Sequence, residues 1–343
     1  MKHIEISKRI FHFKQPAGTS RGIYTTRQSY FLTLTDDGMP GIKGVGECAP
    51  LPKLSCDDLP DYETILHQIC KLVESTDKIP YALLRPYPSI LFGLETAFAQ
   101  FNTHGSTMLF DTPFGRGEEG IRINGLVWMG SFDEMAARLE AKLRQGFHCV
   151  KLKIGAIDFE KEIELIRHIR ESFDKHQVEL RVDANGAFTS KNALHHLETL
   201  AKYDIHSIEQ PIKQHQWEDM AHLCAASPLP IALDEELIGV NVAAMKEALL
   251  DTIRPQYIVL KPSLHGGMRG TEEWIRLAHA RGIESWITSA LESNIGLNAI
   301  AQLCAKLYGP RVSTPQGLGT GQLFTDNITM PLTIRGDEMW ITQ

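Results

Sequence analysis

Five charged residues recur along the middle of this chain at nearly constant intervals. From Lys153 to Asp183 is 30 residues, then 26 to Glu209, 25 to Asp234 and 27 to Lys261. Each closes a short, mostly apolar run, as in Val150-Lys151-Leu152-Lys153, Arg181-Val182-Asp183, Ser207-Ile208-Glu209, Ala232-Leu233-Asp234 and Val259-Leu260-Lys261. Such an interval is one strand–helix unit, so each charged residue holds the same place in its unit, the carboxyl end of a strand. Alternation of this kind calls for parallel strands with crossover helices. An open doubly wound sheet would not gather five successive strand ends around one point. A closed barrel does, and its mouth is where such barrels carry their chemistry.

The flanking sequence fits this frame. The series opens at 121–128. Ser131-x-x-Glu134 then forms a capping box, Leu139 and Leu143 make an apolar stripe, and Gly146 ends the helix. Further strands are expected at 149–154, 180–183, 207–209, 231–234, 257–261 and 283–289, with a helix over 158–173. Before residue 116 the character differs. Residues 23–34 are β-type and run into the turn Thr35-Asp36-Asp37-Gly38, whereas 61–74 and 88–101 have helical spacing, with Leu91, Leu94 and Phe98 on one face. Residues 328–341 return to alternating β-type sequence. The expected fold is therefore α/β: a TIM-type barrel over 116–325, an α+β capping domain over 1–115, and a C-terminal segment, 326–343, returning to the capping domain.

The length of 343 residues suits one barrel with an added domain. The net charge of −7 supplies no basic field for nucleic acid or anionic lipid. No run of about 18 apolar residues occurs, so no membrane span is expected. Cys48, Cys56, Cys70, Cys149, Cys224 and Cys304 form no C-x-x-C pair and read as reduced core residues. With no apolar leader at the start, these features lead us to expect a soluble cytoplasmic protein without nucleic-acid or membrane partners. A homo-oligomer is compatible with all of this.

Asp183, Glu209 and Asp234 would point into the barrel mouth, where three carboxylates repel strongly unless a divalent cation joins them. All-oxygen ligation with room for water and substrate suits Mg²⁺, with Mn²⁺ as a substitute. One such acid alone could merely cap the next helix; three at regular spacing argue against that. Lys151 and Lys153 alternate with Leu152 and so share one face of their strand. They could instead protect a sheet edge, although Cys149, Val150 and Ile154 around them look buried. Close to each other and to a metal, they are expected to have lowered pKa values and to act as bases near neutral pH. A proton α to a carboxylate is the natural target, because a cation on the carboxylate oxygens stabilises the charge that its loss creates.

Lys-x-Lys, then Asp, Glu and Asp, then Lys on successive strands resembles the enolase superfamily, specifically its muconate-lactonizing subgroup. The resemblance covers nearly the whole chain and implies a modified (β/α)7β barrel with an N-terminal α+β capping domain. It also implies Lys153 as the base, Lys151 as a stabiliser of the substrate carboxylate, Lys261 as the lysine on the opposite face, and Asp183, Glu209 and Asp234 as Mg²⁺ ligands. Within the subgroup, Gly46-Glu47-Cys48-Ala49-Pro50-Leu51-Pro52 is similar to a loop that closes over the substrate in the o-succinylbenzoate synthase family. Pro88-Ser89-Ile90-Leu91-Phe92-Gly93, Lys261-Pro262-Ser263-Leu264-His265-Gly266-Gly267 and Ser289-Ala290-Leu291-Glu292-Ser293-Asn294 also resemble that family. The resemblance implies a lyase that dehydrates a small cyclohexadiene carboxylate, with Ser289, Ser263, Leu51 and Asn185 as substrate-binding residues. Amides at the helix start near Ser293 could hold a substrate carboxylate, or Ser293 could simply cap that helix. Further pocket residues are expected from the segments 19–25 and 49–55. Racemases and epimerases of the same superfamily are the alternative. Dipeptide epimerases carry Asp-x-Asp near the eighth strand, however, and 314–324 contains no acid. Glu236 and His265 stand where the family has smaller residues.

Overall fold

The computed structural model describes residues 1–19, 22–128, 130–155, 158–310 and 312–342. An antiparallel sheet of β1 (Lys2–Thr19), β2 (Gly22–Asp36) and β3 (Gly44–Cys48) founds the capping domain. The segment expected as a loop at 19–25 is thus the tip of the β1–β2 hairpin, of which residues 20 and 21 lie outside the described residues. β1 is poorly announced by its sequence. Its alternation through Ile4 and Ile6 gives way to exposed Lys8, Arg9 and Ile10, and a register shift between His12 and Ala17 breaks the period. Helices α1 (Tyr62–Thr76) and α2 (Pro88–Asn102) cover the sheet, burying Leu66, Ile69, Val73, Ile90, Leu91 and Leu94 with Tyr30 and Leu32. α2 meets β3 almost backbone to backbone. A Cβ on Gly46 would stand 1.8 Å from the carbonyl oxygen of Gly93, so only glycine fits there.

After β4 (Ile121–Arg122) the strand–helix series runs as expected. Its order is β5 (Gly125–Val127), α3 (Phe132–Arg144), β6 (Cys149–Lys153), α4 (Phe159–Ser172), β7 (Glu179–Asp183), α5 (Ala193–Leu200), β8 (Ser207–Glu209), α6 (Trp217–Ala226), β9 (Ile231–Leu233), α7 (Ala243–Ile253), β10 (Tyr257–Leu260), α8 (Gly267–His279), β11 (Glu284–Ile287) and α9 (Asn294–Tyr308). Strands β5 to β11 make one parallel sheet in chain order. Parallel bridges from Thr288 to Gly317 and from Ile123 to Gln316 then join its two edges. The 316–317 segment is the eighth stave, and the ring is a (β/α)7β barrel.

The strand expected over 121–128 is divided. Ile123 donates its N–H to the Asp337 carbonyl while Asn124 donates to that of Gln316, so β4 leaves the ring and β5 enters it. β12 (Leu332–Arg335) and β13 (Glu338–Ile341) form a hairpin whose sheet partner is β4. Contact with the capping domain comes just before it: Lys14 N donates to Leu323 O, Thr325 N to His12 O, and His12 N to Asp326 Oδ1.

α3 starts on the capping box read from its sequence, with Ser131 and Glu134 exchanging hydrogen bonds. Ser131→Ala should lower stability by about 1 kcal/mol, measured as a shift in the denaturation midpoint. All six cysteines are free thiols. Among the described residues, no helix is long and apolar enough to cross a membrane.

Candidate active site

Along β6, Val150 and Leu152 turn outward into the apolar layer beneath the helices, and Lys151 and Lys153 turn inward. β6 lies between β5 and β7, so the lysines do not guard an edge. They are 9% and 8% exposed. Register sets Lys153 beside Asp183, and Asp183 beside Glu209. Asp234 and Lys261 directly follow β9 and β10.

The six side chains meet at the barrel mouth. Lys151 Nζ donates to both oxygens of Glu209, at 3.1 and 2.9 Å, and lies 3.3 Å from Asp183 Oδ2. Lys153 Nζ donates to Asp183 Oδ2 at 2.9 Å and to Asn185 Oδ1 at 2.7 Å. Lys261 Nζ pairs with the carboxylate of Asp234. Asn185, at φ +44°, completes the set by donating from Nδ2 to Glu235 Oε1 at 3.0 Å.

Burial opposes the charge on Lys151, but Glu209, Asp183 and Asp234 outweigh it and raise its pKa. Burial likewise opposes Lys261, and Asp234, Glu209 and Glu235 raise it. The lowered pKa expected from sequence is corrected for Lys151, because acids rather than cations dominate its surroundings. Burial pushes Glu209 up to about 8, with the charge of Asp183 adding to it and Lys151 opposing it. Asp183 is held low despite burial, by Lys153 and then Lys151.

Among the described residues, no three ligating side chains form a ready-made metal cage. The reason is local: each of the three carboxylates is turned to a lysine. The donor set nevertheless suits a hard divalent cation. Three buried carboxylates stand at neighbouring strand ends, and the burial that raises the pKa of Glu209, with the charge of Asp183 adding to it, is what a bound cation would offset.

A cavity of about 720 Å³, counting its open mouth, lies above these groups. Its charged side is the lysine–carboxylate array with Asn185 and Glu235. Its apolar side is Leu51 and Leu54 from the loop after β3, Leu126 and Trp128 at the end of β5, and Leu291. Thr288, Ser289 and Thr320 add hydroxyls, Ser289 and Thr320 being joined at 2.6 Å. Of the residues singled out for substrate, Leu51, Ser289 and Asn185 reach this cavity. Ser263 does not: it is fully buried and donates its hydroxyl to Glu292.

Two other expectations change. Residues 46–48 belong to β3, and only the loop that follows approaches the cavity. The amides at the start of α9 are already taken by a carboxylate of the chain itself. Glu47 accepts from Ser293 N at 3.0 Å, Ser293 Oγ at 2.6 Å, Gly296 N at 3.0 Å and Ser29 Oγ at 2.6 Å. Ser293 also caps α9 by accepting from Ile295 N. Neither Glu236 nor His265 lines the cavity. Glu236 accepts from His215 N, and His265 Nδ1 accepts from Lys261 N.

Sequence reasoning missed Trp128, Leu126 and Thr288, although these stand at strand ends like the charged residues. Applying the same positional rule to β5 and β11 would have found them. Thr320 lies in a loop with no such marker.

Comparison with known proteins agrees with this architecture. The family model described as enolase C-terminal domain-like matches residues 134–339. A curated o-succinylbenzoate synthase from Desulfotalea psychrophila is 47% identical, the match covering 94% of this chain and 95% of that protein. The crystal structure of MenC from the same organism superposes with a TM-score of 0.83 at 42% identity, over 99% of each chain. The L-Ala-D/L-Glu epimerase of Bacillus subtilis is 27% identical over 88% of this chain and 84% of its own. The chain belongs to the enolase superfamily, through its enolase C-terminal domain-like barrel.

Proposed function

We propose that this chain is a lyase that dehydrates 2-succinyl-6-hydroxy-2,4-cyclohexadiene-1-carboxylate to o-succinylbenzoate in menaquinone biosynthesis. The observation that carries this is the 47% identity, over nearly full length, to an o-succinylbenzoate synthase. The site supports it. β6 and β10 stand four places apart in an eight-stave ring, so Lys153 and Lys261 face one another across the cavity, with the three acid-bearing strand ends between them.

On this reading, Lys153 Nζ takes the proton on the carbon α to the ring carboxylate. The electron pair released forms a new ring double bond, and the neighbouring hydroxyl leaves with the proton that Lys153 returns, so one water is lost and the ring becomes aromatic. Asn185, held by Glu235, aims the Lys153 ammonium. Lys151 supplies positive charge beside the substrate carboxylate, and Lys261 supplies it across the ring. Asp183, Glu209 and Asp234 would hold Mg²⁺, or Mn²⁺ in its place, whose charge when bound offsets that developing on the substrate carboxylate. Ser289 and Asn185 offer hydrogen bonds to substrate oxygens, and Leu51 covers an apolar part. The setting is the cytoplasm, with a small-molecule carboxylate as the partner.

A racemase or epimerase reading draws on the same opposed lysines. Against it, Gly317 of the eighth stave, with Gly319 and Thr320 after it, forms the cavity wall and offers no acid to a substrate ammonium group. An ultraviolet assay separates the two. With Mg²⁺, the diene absorbance should fall rapidly; EDTA should stop the reaction, and added Mg²⁺ or Mn²⁺ should restore it. Exchange of the α-proton of an N-succinylamino acid without any dehydration would overturn the substrate, and chelator-resistant turnover would overturn the metal.

A further inference from the structure

Arg27 stands on β2, in the capping domain, and is 1% exposed. A buried guanidinium ordinarily faces a carboxylate, because burial costs the charge its hydration. Among the described residues this one forms no ion pair, and its hydrogen bonds go to four backbone carbonyls. Its terminal nitrogens donate to Pro50 O and Ala49 O, each at 2.5 Å. In the other direction, Nε donates to Leu291 O at 3.3 Å and a terminal nitrogen to Ala290 O at 3.5 Å.

Two of these carbonyls lie in the loop after β3, and two in the loop between β11 and α9. These loops bring Leu51 and Leu291 to the cavity wall. Leu291 sits at φ +64°, a left-handed conformation that a leucine keeps only where its surroundings hold it. The 51–55 turn is closed on itself: Leu54 N and Ser55 N donate to Leu51 O, and Leu51 N donates to Ser55 Oγ. It follows directly on the Ala49–Pro50 stem that Arg27 grips, and Tyr24, also on β2, donates its hydroxyl to Pro52 O at 2.6 Å. Lys151, Lys153 and Lys261 belong to neither loop.

We infer that Arg27 is a positioning residue that fixes the apolar wall of the cavity by gripping one loop from each domain, and thereby sets how tightly the apolar part of the substrate is held. This rests on the substrate proposed above. One side chain joins loops that are remote in sequence, a capping-domain segment that brings Leu51 to the cavity and a barrel segment that brings Leu291 to it.

Two measurements test it. In the unmodified protein, hydrogen exchange of peptides covering 49–55 and 288–293 should rise in parallel as denaturant is added; loops that open independently overturn the assignment. Arg27→Lys keeps a buried cation but reduces three donor nitrogens to one. It should raise KM for the cyclohexadiene carboxylate about tenfold while kcat changes less than about threefold, and should speed exchange in those two peptides alone. An unchanged KM, or faster exchange spread evenly over the barrel, overturns the role. Failure of the unmodified protein to turn over this substrate overturns the proposed function instead, and leaves the exchange results to decide the role of Arg27 in joining the loops.

Discussion

Lys153→Ala will lower turnover by about 10³-fold, the usual scale for removing a general base, while leaving the barrel folded. The side chain is buried at the cavity floor and, among the described residues, bonded only to Asp183 and Asn185, so its loss removes the proton acceptor without opening the apolar layer behind β6. Lys151 still lies 3.3 Å from Asp183, so that carboxylate does not lose all cationic neighbours. The informative companion is Lys153→Arg. Arginine keeps the positive charge beside Asp183 but does not give up its proton at working pH. If Lys153 serves as a base, both variants are inactive in single-turnover absorbance assays. If it contributes charge alone, the arginine variant recovers much of the rate, and the base must be sought elsewhere.

Glu47→Ala will cost about 3 kcal/mol of stability, since it leaves buried N–H groups of Ser293 and Gly296 without partners. In a chain of this size that corresponds to a fall in Tm of roughly 4 °C. The carboxylate comes from the capping sheet and the amides from a barrel helix, so the loss falls on the joint between domains. Gly296 reinforces this reading: a Cβ there would meet Glu47 Oε2 at 2.9 Å and Glu292 Cβ at 2.7 Å. Glu47→Gln keeps one acceptor oxygen and should lose about half as much. Denaturation followed by tryptophan fluorescence provides the measurement. An alanine variant as stable as the parent would mean that water satisfies these amides and that the carboxylate does not join the domains.

The barrel and its charged array were legible because both rest on local periodicity. A strand–helix unit has a near-fixed length, and a polar residue closing an apolar run marks a strand end. Lys153, Asp183, Glu209, Asp234 and Lys261 obey that rule, Lys151 shares the face of Lys153 two residues earlier, and the structure brings all six together. What the sequence concealed is long-range. Nothing near Ser263 reveals that Glu292 will take its hydroxyl. Nothing near Ser293 reveals that its helix start will be filled by a glutamate from the first fifty residues. The pKa direction of Lys151 runs opposite to the expectation for a related reason. The cations along β6 do not reveal how closely the acids of β7, β8 and the β9 end crowd Lys151. β1 was hidden because half of its length faces solvent and carries no apolar alternation.

The way the ring closes has a consequence for assembly. Seven staves follow one another along the chain, so each can be laid beside its predecessor as soon as the intervening helix is made. The eighth is a two-residue patch, held by Thr288 on one flank and Ile123 on the other, and it joins the beginning of the barrel to its end. Shutting that seam requires a contact between residues 123 and 316, far apart along the chain, a slow kind of event because a long loop must be closed first. Thr288, Ser289, Gly317 and Thr320 line the cavity along this same seam. The binding pocket is therefore among the last parts to take shape, and a chain arrested before residue 316 lacks the stretch of cavity wall that Gly317, Gly319 and Thr320 supply.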